Sequence, residues 1–262
     1  MCVQRVEQIE MNLKILIATH KTYWMPPDDI YMPLQVGAKG KPKLGYARDN
    51  IGENISDKNS NYCELTGLYW AWKNLEVDYI GLCHYRRYFS HAVHSSDIEK
   101  KKKSIFQKKD YIGLLATYHV IVPKKRNYYI ETVRSQYEHA HYKKDLEIIE
   151  QIIEEYHPTY KKAFQIVMNR RKLYLYNMFV MKKTDCDRYC EWLFDILSKA
   201  ETAIDTTGYN RYESRVYGFL AERLFNVWLE KEQMKVVEVP VVFLESINWP
   251  LKILKFLKRK FF

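Results

Sequence analysis

The chain has 262 residues, 47% hydrophobic and 28% charged, enough for one large domain whose core needs neither disulfides nor a structural metal. Its five cysteines are odd in number and lack paired spacing, which argues against a disulfide framework or a zinc site. A formal charge of +10 asks for an anionic partner: a phosphorylated substrate, anionic lipid or nucleic acid.

Residues 1–10 are polar and read as an upstream extension without a secretory signal. Residues 13–18 form an apolar run without helical period, as a buried first strand does. Thr19, His20 and Lys21 follow at its carboxyl end, where open α/β sheets bind ligands. Residues 25–60 are rich in Pro, Gly, Asp and Asn and predict a long, ordered site loop. Residues 61–74 predict a helix with Leu65, Leu68, Tyr69 and Trp72 on one face. Short strands are predicted over 79–83, 112–115 and 119–122. A helix is predicted over 144–156, a strand over 174–181 and helices over 186–199 and 211–232. Residues 235–243 alternate and contain Pro240, the pattern of an edge strand. This alternation predicts one α/β domain over residues 11–248. No run reaches the roughly 18 apolar residues of a membrane span, so the protein is expected in the cytoplasm.

Residues 77–89 hold the densest chemistry. His84, Arg86 and Arg87 follow a strand, interleaved with Tyr85, Tyr88 and Phe89. A planar guanidinium grips phosphate bidentately, and the rings suit a base or a sugar. The residues alone leave open a structural Arg pair bound to nearby acids. Asn177, inside an apolar run, must satisfy its amide through backbone or through sugar hydroxyls. Arg215, Gly218 and Glu222 share one helix face, with Gly218 allowing close approach. Glu222 is a candidate general base there, or one half of a structural Arg–Glu pair.

The tail, residues 249–262, sets Ile253, Leu254, Leu257 and Phe261 against Lys252, Lys255 and Arg259. Such a helix lies on an anionic membrane surface, or docks on the domain or a second copy. There is no Walker loop, GxGxxG, HExxH or nucleic-acid module, and no Asp-x-Asp metal motif is expected.

Together these segments carry a resemblance. The chain is similar to a bacterial family catalogued as a domain of unknown function, DUF4422. That family is found in capsular and exopolysaccharide gene clusters and assigned there to the glycosyltransferases. The likeness rests on KILIATHK (14–21), ENISDKN (53–59), YCELTGLYWAWKN (62–74) and DYIGLCHYRRYF (78–89). It continues through YNMFVMKK (176–183), YCEWLF (189–194) and YGFLAERLFNVWL (217–229), and spans residues 12–248.

The resemblance implies a GT-A-like domain, a mixed central sheet flanked by helices, followed by the amphipathic tail helix. It implies hexosyl transfer from a nucleotide sugar to a lipid-linked oligosaccharide at the inner face of the plasma membrane. The implied donor is UDP-linked, with UDP-galactofuranose among those assigned to members. Thr19, His20 and Lys21 would meet the donor. His84, Tyr85, Arg86 and Arg87 stand where such enzymes carry a metal motif and would hold the diphosphate. No metal ligand is therefore named, and the need for Mn²⁺ or Mg²⁺ is left open. Glu222 is the first choice of base, then Glu64 and Asp49. Asn54, Asn59, Tyr176, Asn177 and Arg215 would contact sugar or acceptor. Two competing functions are carried: a non-catalytic basic module for polysaccharide assembly and, from net charge alone, a nucleic-acid binder. The resemblance favours neither, and no nucleic-acid partner is expected.

Overall fold

The structure, a computed structural model, describes residues 11–245. The expected upstream extension, 1–10, and the amphipathic tail, 249–262, lie outside the described residues.

The first half runs β1 (Leu13–Thr19), β2 (Tyr31–Gln35), β3 (Ala47–Arg48), α1 (Asn59–Tyr62) and α2 (Leu65–Asn74). It continues through β4 (Tyr79–His84), β5 (Arg87–Phe89), α3 (Ile98–Lys103), α4 (Lys108–Leu115), β6 (Val120–Pro123) and β7 (Arg126–Asn127). Then come α5 (Val133–Ala140), α6 (Lys143–Tyr156), α7 (Lys161–Asn169), β8 (Lys172–Leu173) and β9 (Phe179–Lys182). The last are α8 (Lys183–Ala203), α9 (Val216–Lys231), β10 (Val236–Val239) and β11 (Val241–Phe243).

The main sheet has the order β10-β6-β9-β4-β1-β2-β3, with β5 and β11 attached beyond β4. Strands β3, β2, β1 and β4 are parallel, while β9 runs antiparallel between β4 and β6. Strand β1 is apolar from Ile15 to Ala18 because both of its faces are covered, while the Lys14 ammonium reaches the Asp29 carbonyl at 2.8 Å. Leu16 and Ala18 face one core layer, shared with α2, α6, α8 and α9, and Leu13, Ile15 and Ile17 face a second, shared with Tyr31, Tyr88 and Tyr111. Gly81 of β4 is required by this packing: a Cβ there would lie 2.6 Å from Ile15 and 2.8 Å from Val180. The register sets Ala18 beside His84 and Thr19 beside Gln35. The carboxyl ends of three parallel strands therefore share one edge, where ligands bind in open α/β sheets.

The α/β expectation holds, with local corrections. The expected strand 112–115 is the end of α4, with Tyr111 and Leu115 buried and Ile112 exposed. Four apolar residues are too few to distinguish the two periods. Segment 25–60 contains β2, hidden by Pro33. Proline is tolerated because β3 starts opposite Leu34, leaving Pro33 no donor to supply on that side. The expected strand 174–181 begins only at Phe179, and the expected helix 211–232 only at Val216. Pro240 separates two strands: β10 pairs with β6, and β11 with β5. Helices α3, α5 and α7 had no counterpart in the sequence reading.

Candidate active site

The turn after β1 is built by Thr19, whose buried hydroxyl donates to the Lys21 carbonyl at 2.7 Å and accepts its N–H at 3.3 Å. Thr19 thus shapes the turn, while His20 and Lys21 are exposed beyond it. Across the edge, β4 and β5 are joined by a tight turn with His84 paired to Arg87, so Tyr85 and Arg86 form its tip. Tyr85 is buried beneath the cations: Lys21 Nζ lies 5.2 Å and the Arg86 guanidinium 4.9 Å from its ring centre. The His20 ring meets Tyr85 edge-on at 5.4 Å. Burial depresses the His20 pKa, and the charges of Lys21, Arg86, Lys41 and Arg211 depress it further. Lys21 and Arg86, both over the Tyr85 ring that His20 also meets, form one electropositive rim.

A carboxylate already sits on this rim. Glu245 accepts from Arg86 at 2.7 Å and lies 3.8 Å from Lys21 Nζ. It arrives because β11 pairs with β5 and the Leu244 N–H donates to the Arg86 carbonyl at 3.0 Å. The two cations hold the Glu245 carboxyl below its ordinary pKa. Arg87 has no ion-pair partner among the described residues and lies 4.8 Å over the Tyr176 ring and 5.6 Å over Phe243.

Behind the rim lies a buried polar set. The predicted helix 61–74 breaks at Cys63, whose φ of 54° is left-handed for a non-glycine. The break sets Glu64 at the cap of α2 instead of inside a helix. Its side chain is only 10% exposed, and one oxygen accepts from Asn177 Nδ2 at 2.8 Å. His84 Nε2 lies 3.8 Å from that oxygen and 3.1 Å from the Tyr176 carbonyl. A carbonyl only accepts, so Nε2 carries the proton. Burial is the largest influence on His84 and lowers its pKa, outweighing the attraction of Glu64. Burial thus favours the neutral imidazole over an ion pair with Glu64, 3.8 Å away.

Tyr176 and Asn177 are both left-handed, at φ 77° and 51°. Such strain persists where surroundings over-determine it. Glu222 on α9 supplies part of that determination: Oε1 accepts the Tyr176 N–H at 2.7 Å, and Oε2 accepts from Arg223 at 3.0 Å. Asn226, one turn on, exchanges two hydrogen bonds with the Tyr174 backbone at 3.0 and 2.9 Å. Asn177 Nδ2 also donates to the Gly218 carbonyl at 3.2 Å, while its Oδ1 is buried without a partner among the described residues. The expected close approach at Gly218 is absent: a Cβ there would meet Cys63 Sγ at 3.4 Å, an ordinary contact. Arg215 closes this side, donating from Nε to Cys63 Sγ at 3.1 Å. Burial raises the Glu222 pKa and, with the neighbouring Glu64 charge, pushes the Cys63 thiol up to about 11.

Other expected residues lie elsewhere. Asp49 is fully buried and accepts from the N–H groups of Gly37 and Ala38 and the hydroxyls of Ser56 and Thr66 at 2.6–2.9 Å. Both of its oxygens are consumed in tying the 25–60 loop to α2. Asn54 donates to the Gly52 carbonyl, and Asn59 to the Cys63 carbonyl and the Thr66 hydroxyl, so both build the loop and helix start. Tyr88 and Phe89, expected as ring-stacking residues, are fully buried in the second core layer. Cys63, Glu245, Phe243 and Asn226 escaped the sequence reading. The Arg86–Glu245 contact bridges 159 positions, and no local pattern announces it.

The sequence also contains an Asp-x-Asp that the expectation of none overlooked. Asp185-Cys186-Asp187 lies in α8, where Asp185 pairs with Arg188 at 2.9 Å and Asp187 with Lys183 at 2.6 Å. Both carboxylates are spent within one helix, which starts beside the amino end of β4, at the opposite sheet edge from His84. Among the described residues no group of three or more His, Cys, Asp or Glu is placed to hold a metal ion. No helix among them is long and apolar enough to cross a membrane.

A mixed central sheet flanked by helices, with cations at the carboxyl ends of its parallel strands, fits a GT-A-like α/β architecture. The chain belongs to the family described as domain of unknown function DUF4422, whose profile matches residues 14–233. Among solved structures it is similar to the apo form of the bifunctional glycosyltransferase WbbM, at 32% identity and a TM-score of 0.82. That match covers 90% of this chain and 46% of WbbM, so the chain spans about half of that enzyme's length. No curated protein matches the chain.

Proposed function

We propose that the chain is a glycosyltransferase moving a hexosyl group from a UDP-linked donor to a hydroxyl of a lipid-linked oligosaccharide in capsular or exopolysaccharide assembly. One observation carries this: Lys21 and Arg86 meet at Glu245 where β1 and β4 end, and His84, paired with Arg87 in the same turn, lies 3.8 Å from the buried Glu64. The likeness to a bifunctional glycosyltransferase over 90% of the chain supports the reaction class. The cytoplasmic face of the plasma membrane suits the basic amphipathic tail.

In this mechanism the donor diphosphate displaces Glu245 from Arg86 and Lys21. The cations then stabilise the charge that grows on the leaving diphosphate, the task a metal serves elsewhere. Glu64 is a better base than Glu222. Both Glu222 oxygens already hold donors, whereas one Glu64 oxygen has no hydrogen-bond partner among the described residues. Glu64 takes the proton of the acceptor hydroxyl as its oxygen bonds to the anomeric carbon. The bond from that carbon to the phosphate oxygen breaks, and UDP leaves with the electron pair. Water then removes the proton from Glu64. Asn177 holds Glu64 in place.

A thermal-shift screen against UDP, UDP-sugars and other nucleotides, with and without Mn²⁺, tests the donor site. UDP compounds raise the melting temperature of the native protein, and Arg86→Ala abolishes the rise. No response to any nucleotide would refute the donor assignment.

A further inference from the structure

Beyond the carboxylates, the surface carries aromatic rings in an unusual row. Loop 204–215, between α8 and α9, brings Tyr209 and Tyr212 against His141 and Tyr142 of the α5–α6 connection. Tyr142 and Tyr209 stack at 4.4 Å and 26°. His141 stacks on Phe219 at 4.2 Å and on Tyr212 at 5.8 Å, and Tyr212 meets Phe219 at 5.1 Å. Tyr212 is 47% and Tyr142 41% exposed, large values for rings already engaged on one side.

The row is anchored and directed. The Tyr209 hydroxyl donates to buried Asp145 at 2.7 Å, which fixes that ring. The Arg215 guanidinium lies 5.4 Å over Phe219 while its Nε reaches Cys63, the neighbour of Glu64. Loop 204–215 therefore borders the side of the site that holds Glu64.

We infer that Tyr212 and Tyr142, backed by His141, Phe219 and Tyr209, form a binding track for the acceptor glycan, engaging sugar units beyond the one that reacts. This rests on the glycosyltransferase assignment. A pyranose or furanose ring offers apolar C–H faces and a polar rim. A tyrosine ring presents rigid, amphipathic area that matches such a face. The groups around the rings are polar: Lys144 lies over Tyr142 and Tyr209 at 5.7 and 5.3 Å, and Asn210, Arg211 and Arg215 flank Tyr212 in the chain. Hydroxyl-rich ligands combine such ring faces with a few convergent hydrogen-bonding neighbours, and Lys144, Asn210 and Arg211 supply them here.

The test uses the full-length protein and an array of bacterial polysaccharide fragments of increasing length. Native protein is expected to bind longer fragments better. Tyr212→Ala weakens that binding roughly tenfold, about the 1.4 kcal/mol of one aromatic stacking contact, and Tyr142→Ala weakens only the longer fragments. The UDP thermal shift is measured on the same preparations and stays unchanged, which also shows that the variants fold. Retained UDP response with no length-dependent glycan binding, or binding indifferent to both substitutions, overturns the track while leaving the donor site standing. Loss of UDP response in native protein instead counts against the glycosyltransferase assignment itself. A concentration-dependent dimer that Tyr212→Ala dissociates, without any change in glycan binding, would also overturn the track.

Discussion

Replacing Glu64 with glutamine isolates the proposed proton transfer from everything else in the site. The glutamine oxygen can still accept the 2.8 Å hydrogen bond from Asn177, so the packing around the α2 cap is retained. The side chain keeps its size but can no longer take a proton near neutral pH. A positioned general base contributes about a hundredfold to ten-thousandfold in rate, or roughly 2.7–5.4 kcal/mol of barrier. Glu64→Gln should therefore lower kcat by that factor with little change in the KM for donor. The assay is release of UDP coupled to product detection, alongside thermal melting to show an intact fold. Glu222→Gln is the control. It keeps an acceptor for the Tyr176 N–H but weakens the pairing of Arg223, which is 3% exposed and also bonds Gln136 at 2.7 Å. Its main effect should be lost stability. If Glu64→Gln keeps more than a tenth of native turnover while Glu222→Gln abolishes it in folded protein, the two carboxylates have been assigned in the wrong order.

Glu245→Gln should tighten UDP binding by up to about fivefold, because an exposed ion pair of about 1 kcal/mol no longer competes for Arg86 and Lys21; weaker binding in calorimetry would contradict this. His84 gives a pH signature. Its folded pKa lies below the ordinary 6.5, so its contribution to stability is present above that value and is lost as pH falls through the folded pKa. Chemical denaturation from pH 7.5 to 5 should show that loss, and His84→Asn should flatten it. Asp49→Asn should destabilise by about 2–4 kcal/mol, since four donors face its carboxylate, while the folded fraction keeps native kcat. A loss of kcat without loss of stability would return Asp49 to the reaction.

The sheet was legible where burial leaves an unmistakable mark. The apolar runs of β1 and β4 and the stripes of α6, α8 and α9 follow from two covered sheet faces. Thr19, His20, Lys21, His84 and the two arginines stand out in the sequence because they follow such runs, and the pairing of β1 with β4 brings those runs to one sheet edge. Individual roles were less visible. Glu64 looked like a helix residue because nothing in Tyr62-Cys63-Glu64 signals a left-handed cysteine. Asp49 looked like a loop carboxylate because its four donors are set by tertiary contact. Glu245 reaches Arg86 only through the pairing of β11 with β5, and Tyr212 meets His141 through two separate loops. Local period records burial, whereas these contacts depend on how distant segments return.

Turnover of a UDP-sugar panel in the presence of excess EDTA tests the central claim most directly. If Lys21, Arg86 and Arg87 stabilise the leaving diphosphate, native protein should transfer sugar to a lipid-linked acceptor at an undiminished rate in EDTA, and Arg86→Ala should lose at least tenfold in turnover. Activity that vanishes in EDTA and returns with Mn²⁺, or an Arg86→Ala variant with full turnover, would contradict it.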